Sequence, residues 1–150
     1  MQRRTTASTS LVATLALALA AFAGGAASAA RADVVPVVSA RSAVRALSRN
    51  ELADIFLGRR ARFPDGSAAI PIDQPEGSQA RAQFYGHYAD MTPAQLKAFW
   101  SKIIFTGRGQ PPQAVIGARQ ARRLIAANPD AIGYIDRSQV DASVRIVQVH

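Results

Sequence analysis

The first 32 residues limit what this chain can fold into, because they have the organisation of an export signal. Two arginines near the N-terminus precede an apolar run of thirteen residues, Leu11 to Ala23. Small-residue cleavage sites of the A-x-A type follow at 27–29 and 30–32. The run is shorter than the roughly 20 apolar residues that a membrane-spanning helix needs. We therefore expect residues 1–32 to be a cleavable signal peptide, and residues 33–150 to form one domain in the periplasm.

The absence of cysteine excludes several kinds of chemical site in the predicted domain. With 0 Cys in 150 residues, disulfides, thiolate metal sites, a cysteine nucleophile and a lipid-modified cysteine are all excluded. The chain has 18 Lys and Arg against 10 Asp and Glu. Removing the three arginines of residues 1–32 leaves 15 basic and 10 acidic residues, a net charge of +5. A charge of this sign favours anionic partners; in the periplasm we expect no nucleic-acid partner, and we expect a protein that is not membrane-embedded.

Hydrophobic periodicity and capping signals predict strands that alternate with helices. Strands are predicted at 33–39, 68–73, 131–135 and 144–149, with Pro36 indicating an edge strand or a strand start for the first. Helices are predicted after capping boxes at Ser48 and Thr92, over Ser78 to about Ala89, and over 118–127. About four strands and four helices predict an α/β fold: a three-layer-like unit whose mixed sheet of about four to five strands is flanked by helices.

Most other conspicuous side chains are assigned to the core or to solvent. Helical spacing places four aromatic residues in the core: Tyr85, Tyr88, Phe99 and Trp100. The arginines at 59, 60, 62, 119, 122 and 123 are interpreted as solvated surface. Asp73 and Glu76 are predicted on a loop edge without a paired nucleophile or acid. Neither His87 nor His150 has a second ligand at metal spacing. We expect neither an enzyme nor a cofactor or metal site.

The segment that begins the second helix is the candidate ligand site. Gly77 allows a tight turn before the helix, and the N–H groups that follow, over Ser78 to Arg81, can meet an anion at the positive end of the helix dipole. The predicted ligand-binding residues are Gly77, Ser78, Gln79, Ala80 and Arg81. Arg81 adds charged donors, and Ser78 adds a hydroxyl. Ser78 also has the residue type of a simple N-cap, and both interpretations remain open.

Three segments resemble landmarks of the periplasmic phosphate-binding-protein-like family, the solute receptors of phosphate ABC transporters. They are Leu52-Ala-Asp-Ile-Phe-Leu-Gly58, Phe105-Thr-Gly107 and Ala131-Ile-Gly-Tyr134, and their order and spacing match over roughly residues 34–148. The resemblance implies one lobe of a receptor that in full length has two α/β lobes closing on phosphate. It also implies phosphate or a related oxyanion as ligand and an ABC permease as a partner.

The candidate loop departs from the family's pattern, which resembles Asp-Gly-Ser-Gly-Thr after an arginine. Gly77 and Ser78 match, but Gln79 and Ala80 replace the second glycine and the threonine, and Gln74 stands near the arginine position. Two functions therefore remain. The first is an exported solute-binding-type protein that holds phosphate or a related oxyanion weakly. The alternative is a non-transport envelope interaction or sensory module that keeps the lobe fold and binds an envelope protein.

Overall fold

A computed structural model describes residues 33–150 as a mixed sheet covered by helices on both faces. The predicted signal peptide lies outside the described residues. The elements are β1 (Val34–Ser39), β2 (Ala46–Leu47), α1 (Arg49–Phe56), β3 (Ile70–Asp73), α2 (Gln79–Tyr88), α3 (Pro93–Phe105), β4 (Gln113–Ala114), α4 (Ala118–Ala127), β5 (Ala131–Asp136), a 3₁₀ turn (Arg137–Gln139), β6 (Val144–Ile146) and β7 (Gln148–Val149). No helix in this part of the chain is long and apolar enough to cross a bilayer.

The main sheet has five strands in the order β4-β3-β5-β1-β6. Strand β3 is parallel to β4 and β5, whereas β1 is antiparallel to β5 and β6. The predicted α/β class and mixed sheet are confirmed. The expected single strand over 144–149 is instead divided into β6 and β7, and β7 pairs with β2 in a separate two-stranded ladder.

The edge position that Pro36 indicated for β1 is wrong, because β1 is interior and pairs on both sides. Pairing with β6 starts one residue later, at Val37, and the carbonyl of Pro36 accepts a hydrogen bond from the N–H of Val147. The missing N–H of Pro36 thus falls where the β6 ladder has ended. Proline leaves out one hydrogen bond at the end of this ladder and none within it, so an interior strand tolerates it.

Side chains of β1 and β5 alternate between two hydrophobic clusters, one on each face of the sheet. Helices α1, α2 and α3 pack on one face with Val34, Val38, Ile132 and Tyr134. Helix α4 covers the other face, where Ala121 and Ile125 meet Val35, Val37 and Ile135. The alternation follows from the two-residue period of a strand. The result is the helix–sheet–helix layering that the pattern predicted.

Both predicted capping boxes are present. The Ser48 hydroxyl accepts from the N–H of Glu51, and the Glu51 carboxylate accepts from the N–H of Ser48; Thr92 and Gln95 form the same reciprocal pair. Each box satisfies N–H groups that would otherwise have no partner at a helix start. The first helix and the third helix therefore begin where the sequence indicates.

The glycine of the Ala131-Ile-Gly-Tyr134 landmark has a packing role. A Cβ atom at Gly133 would stand 2.4 Å from Cδ1 of Ile125 in α4 and 3.2 Å from the carbonyl oxygen of Ile72. Only a residue without a side chain lets α4 approach β5 this closely. The landmark thus marks a helix–sheet contact.

Candidate functional site

The candidate loop lies at the carboxyl end of β3, where the parallel strands of the sheet end and helices begin. Ligands of open α/β sheets bind at such carboxyl edges. Gly77 is exposed with φ +85°, a backbone conformation that favours glycine. It leads into Ser78, the N-cap of α2. Local sequence and position therefore agree on a tight turn that presents the first turn of a helix.

The start of α2 has fewer free donors than the sequence predicts. The Ser78 side chain accepts from the N–H of Arg81 (3.2 Å), which confirms the capping role of this serine, and the Ser78 N–H donates to the Pro75 carbonyl (3.1 Å). Two of the four expected amide donors are thus occupied. Within residues 33–150, the N–H groups of Gln79 and Ala80 have no acceptor, and the Ser78 hydroxyl keeps a proton to donate.

Asp73 is the central polar residue of the site. Its predicted position on a loop edge is wrong, because Asp73 is the last residue of β3 and is buried. Its side chain is only 2% exposed. One carboxylate oxygen accepts from the Gln74 N–H (2.8 Å) and the Tyr134 hydroxyl; the other accepts from the Tyr85 hydroxyl (2.9 Å) and Nε of Arg81 (3.1 Å). Four donors thus satisfy both oxygens, which is what a buried carboxylate requires.

Strand register brings this network together. Strand β3 pairs with β5 so that Ile70 is opposite Ala131 and Pro71 opposite Ile132. Continuing that register sets Asp73 beside Tyr134, although 61 positions separate them in the chain. Tyr85 arrives from α2, one turn after Arg81. The sequence signal was an aspartate at the end of an apolar strand, which did not reveal its partners.

Arg81 uses only part of its guanidinium within the protein. Nε donates to Asp73, and Cζ lies 5.3 Å from the ring centre of Tyr85. The two Nη groups donate to no residue of the described chain and remain accessible, although the side chain is only 13% exposed. Burial disfavours the charged guanidinium, but the Asp73 carboxylate outweighs burial, and the pKa of Arg81 is raised. Arg81 is therefore a fixed cation with free donors.

A cavity of about 140 Å³ adjoins these donors. Polar residues at the start of α2 form one part of its wall, and apolar residues of α2 and α3 form the other. Its lining residues are Gly77, Ser78, Gln79, Arg81, Ala82, Tyr85, Pro93 and Leu96. Four of the five predicted site residues line it; Ala80 does not, and packs against the core on the α1–α3 face.

Other charged residues lie apart from this cavity. Arg60 pairs with Glu51, Arg59 with Asp54, and Arg122 with Asp141, all at partly exposed positions. Glu76 pairs with Lys97 at 3.3 Å; both side chains are well exposed, and neither lines the cavity. Among residues 33–150, no group of three or more His, Cys, Asp or Glu side chains is arranged to hold a metal ion.

Burial and the adjacent Asp73 charge both raise the pKa of Tyr85 and of Tyr134 far above the ordinary value of 10.0. In the unfolded chain these phenols ionise near pH 10, whereas in the folded protein they stay neutral. Because the folded state then binds more protons, stability is constant below pH 10 and falls above it. We expect a loss of about 1.4 kcal/mol per pH unit for each of the two tyrosines.

Urea unfolding at pH 8, 9, 10 and 11 measures this loss. The Tyr85→Phe variant, whatever its stability at pH 8, should lose less per pH unit above pH 10, because one titrating group is gone. A free energy of unfolding that stays constant up to pH 11 in the unmodified protein would contradict the buried, neutral state of both phenols.

The proteins that resemble this chain are found by their structures. No protein-family profile and no curated protein sequence matches the chain, whereas several solved structures have a similar fold. An ABC-type phosphate transport receptor from Vibrio cholerae matches with a TM-score of 0.61 and 18% identity, over 77% of this chain and 45% of the receptor. A putative phosphate ABC transporter substrate-binding protein from Clostridium perfringens, with bound phosphate, matches with a TM-score of 0.53 and 21% identity, over 77% of this chain and 44% of that one.

A possible phosphate binding protein from Planctomyces limnophilus matches in the same way, with a TM-score of 0.54, 10% identity, and 78% and 41% of the two chains covered. The fold of this chain is therefore similar to part of these phosphate-receptor structures, and the resemblance drawn from three short motifs is confirmed at the level of the fold. This chain spans less than half the length of each of these structures. It has the fold of a short, single-lobe form.

Proposed function

We propose that this protein is an exported, solute-binding-type protein that holds phosphate or a related oxyanion weakly at the start of α2. The observation that carries the proposal is Arg81, whose Nε is fixed by a buried carboxylate while both Nη groups stay accessible beside a cavity. A guanidinium with accessible Nη groups suits a fork of charge-assisted hydrogen bonds to an oxyanion. The N–H groups of Gln79 and Ala80 and the helix dipole add to the attraction.

The affinity should be low, because a single lobe leaves one side of the anion in water. Each hydrogen bond then competes with solvent and is screened by salt. We expect a dissociation constant of about 0.1–10 mM for phosphate, equivalent to roughly 3–5 kcal/mol. The solved structures that share this fold are named as phosphate receptors, which supports phosphate as the reference ligand. The same names make an ABC permease a natural partner and give no support to an enzyme.

Titration of phosphate, followed through backbone amide shifts, tests the site in protein expressed from the complete 150-residue chain. The amides of Gln79 and Ala80 should move most. Arg81→Lys keeps the charge but cannot bond Asp73 and the anion at once, so we expect about tenfold weaker binding. Ser78→Ala should weaken it less.

Arg108→Lys is the matched control, because it makes the same substitution on an exposed loop that does not line the cavity. The affinity of this variant for phosphate should stay within about twofold of that of the unmodified protein, because the charge is kept at an exposed position. If the amides of residues 77–81 do not move at about 20 mM phosphate, twice the weakest constant given above, phosphate binding is refuted.

The alternative, a non-transport envelope interaction or sensory module, is favoured by a different observation. Phe105 ends α3 with 93% of its surface exposed, and Ile116 is 83% exposed after β4. Between Met91 and Pro129 the chain has six basic residues and no acidic one. Two of the six, Lys97 and Arg122, pair with acidic residues elsewhere in the chain, and the other four form no ion pair within residues 33–150. Exposed apolar side chains are typical of protein contact surfaces. If phosphate shifts none of the amides, the interaction or sensory module is the better supported function.

A further inference from the structure

The cavity beside Arg81 has two chemically different halves. Ser78, Gln79 and Arg81 present hydrogen-bond donors on one side. The other side is made by Ala82, Pro93, Leu96 and the ring of Tyr85. Leu96 and Tyr85 are each only 1% exposed and form the packed base of this apolar wall, whereas the half-buried Ala82 and the exposed Pro93 form its accessible part. An inorganic anion would meet donors on one side only.

The charge of the site is also nearly balanced before any ligand enters. The Arg81 cation faces the buried Asp73 anion at 3.1 Å, and Glu76, which precedes Gly77, is already paired with Lys97. What remains is the partial positive charge of the helix start, equivalent to roughly half a unit. Carrying a dianion against an apolar wall with so little net charge is costly. A monoanion matches the site better.

The volume of the cavity indicates the size of its ligand. A volume of about 140 Å³ is several times the roughly 30 Å³ that one water occupies in the liquid. It is well below the roughly 300 Å³ at which pockets for drug-sized ligands begin. A group of about five or six heavy atoms fills a volume of this size, by the same volume per small group.

We propose that this cavity binds a small organic monoanion, a carboxylate with an alkyl tail of about three carbons. The carboxylate accepts from the Nη groups of Arg81 and the N–H of Gln79, and the tail lies against Ala82, Pro93 and Leu96. The inference rests on the proposed anion site and names its ligand class. The alkyl tail buries apolar surface against the apolar wall of the cavity, which favours binding and which phosphate cannot do.

A series of carboxylates tests this without any variant, in protein expressed from the complete chain. Acetate, propionate, butyrate and hexanoate are titrated at constant ionic strength and pH, with amide shifts of Gln79 and Ala82 as the readout. Each buried methylene favours binding by about fourfold, so butyrate should bind about fifteenfold more tightly than acetate. Hexanoate should gain no more than butyrate, because the cavity is full. Butanol, which lacks the charge, should bind more weakly than butyrate.

A cavity-filling variant locates the tail. Ala82→Leu, within α2, should remove the advantage of butyrate over acetate, because the larger side chain occupies the space proposed for the tail. Ala98→Leu is the matched control, since it makes the same change at an exposed position of α3 that does not line the cavity. It should keep the full advantage of butyrate.

Equal constants for acetate and butyrate, or a gain that continues to hexanoate, would overturn the proposed ligand class. If phosphate moves the Gln79 and Ala80 amides while butyrate binds no better than acetate, the ligand class fails and the anion site stands. If butyrate binds as expected and phosphate has no effect, the ligand class holds and phosphate is removed as a ligand. If no anion has an effect, both proposals fail.

Discussion

Replacing Trp100 with alanine should lower the free energy of unfolding by about 3–5 kcal/mol, as removal of a large buried aromatic side chain typically does. Trp100 is 5% exposed in the cluster between the sheet and α1–α3, and its ring lies 3.3 Å from where a Cβ of Gly58 would be. Alanine would leave a void under the end of α1 that neighbouring backbone cannot fill. Urea unfolding followed by far-UV circular dichroism gives the difference.

Phe105→Ala is the matched control for this change, five positions further along the same helix. Its side chain is 93% exposed, so the change should stay within about 0.5 kcal/mol. Trp100→Phe should cost clearly less than Trp100→Ala. It keeps most of the ring, and the indole Nε1 that it removes is buried with no hydrogen-bond acceptor among the described residues. A Trp100→Ala variant as stable as Phe105→Ala would show that the packing described here is wrong.

Replacing Asp73 with alanine should have an effect of similar size. The change leaves the Arg81 cation without its counter-ion in a position that is 13% exposed, and leaves the hydroxyls of Tyr85 and Tyr134 without their acceptor. Removing one partner of a buried ion pair typically costs about 3–5 kcal/mol, because the other charge remains buried. Because Arg81 retains some exposure, part of this cost is relieved by solvent, and we expect the lower half of that range.

Two further variants separate the network from the loss of an aspartate in general. Asp54→Ala removes an exposed carboxylate that pairs with Arg59 at 3.4 Å and should cost less than about 1 kcal/mol. The double variant Asp73→Ala/Arg81→Ala should be less destabilised than the sum of the two single changes, because it leaves no buried charge unpaired. Additive effects would contradict direct coupling between the two side chains.

Much of the fold could be predicted because its signals are local. The capping boxes at Ser48 and Thr92 begin helices through hydrogen bonds that span three residues. Helix α4 covers the predicted residues 118–127, because its apolar positions recur with the helical period. The short strand β4 was missed because two residues do not establish a period. The edge position inferred from Pro36 was wrong because proline is tolerated in β1 where the pairing with another strand, β6, ends.

The candidate site was only half predictable. The glycine before a capped helix identified the start of α2 from sequence, and the cap on Ser78 is a local hydrogen bond that residue type alone suggested. Asp73 was misplaced on a loop edge because its burial depends on hydroxyl groups from α2 and β5, the second of them 61 positions away. Carboxylates are ordinarily exposed, so the burial of Asp73 is explained only by its four hydrogen-bond donors together.

The sequence by itself determined the helix starts, the tight turn at Gly77 and the alternation of buried and exposed strand residues. Each depends on backbone geometry and side chains within a few positions of one another. The tertiary structure alone decided that Asp73 holds Arg81 and that Leu96 and Pro93 close one side of the cavity. These contacts depend on strand register and on how α3 packs against α2, which are set by the burial of whole apolar faces rather than by any local pattern.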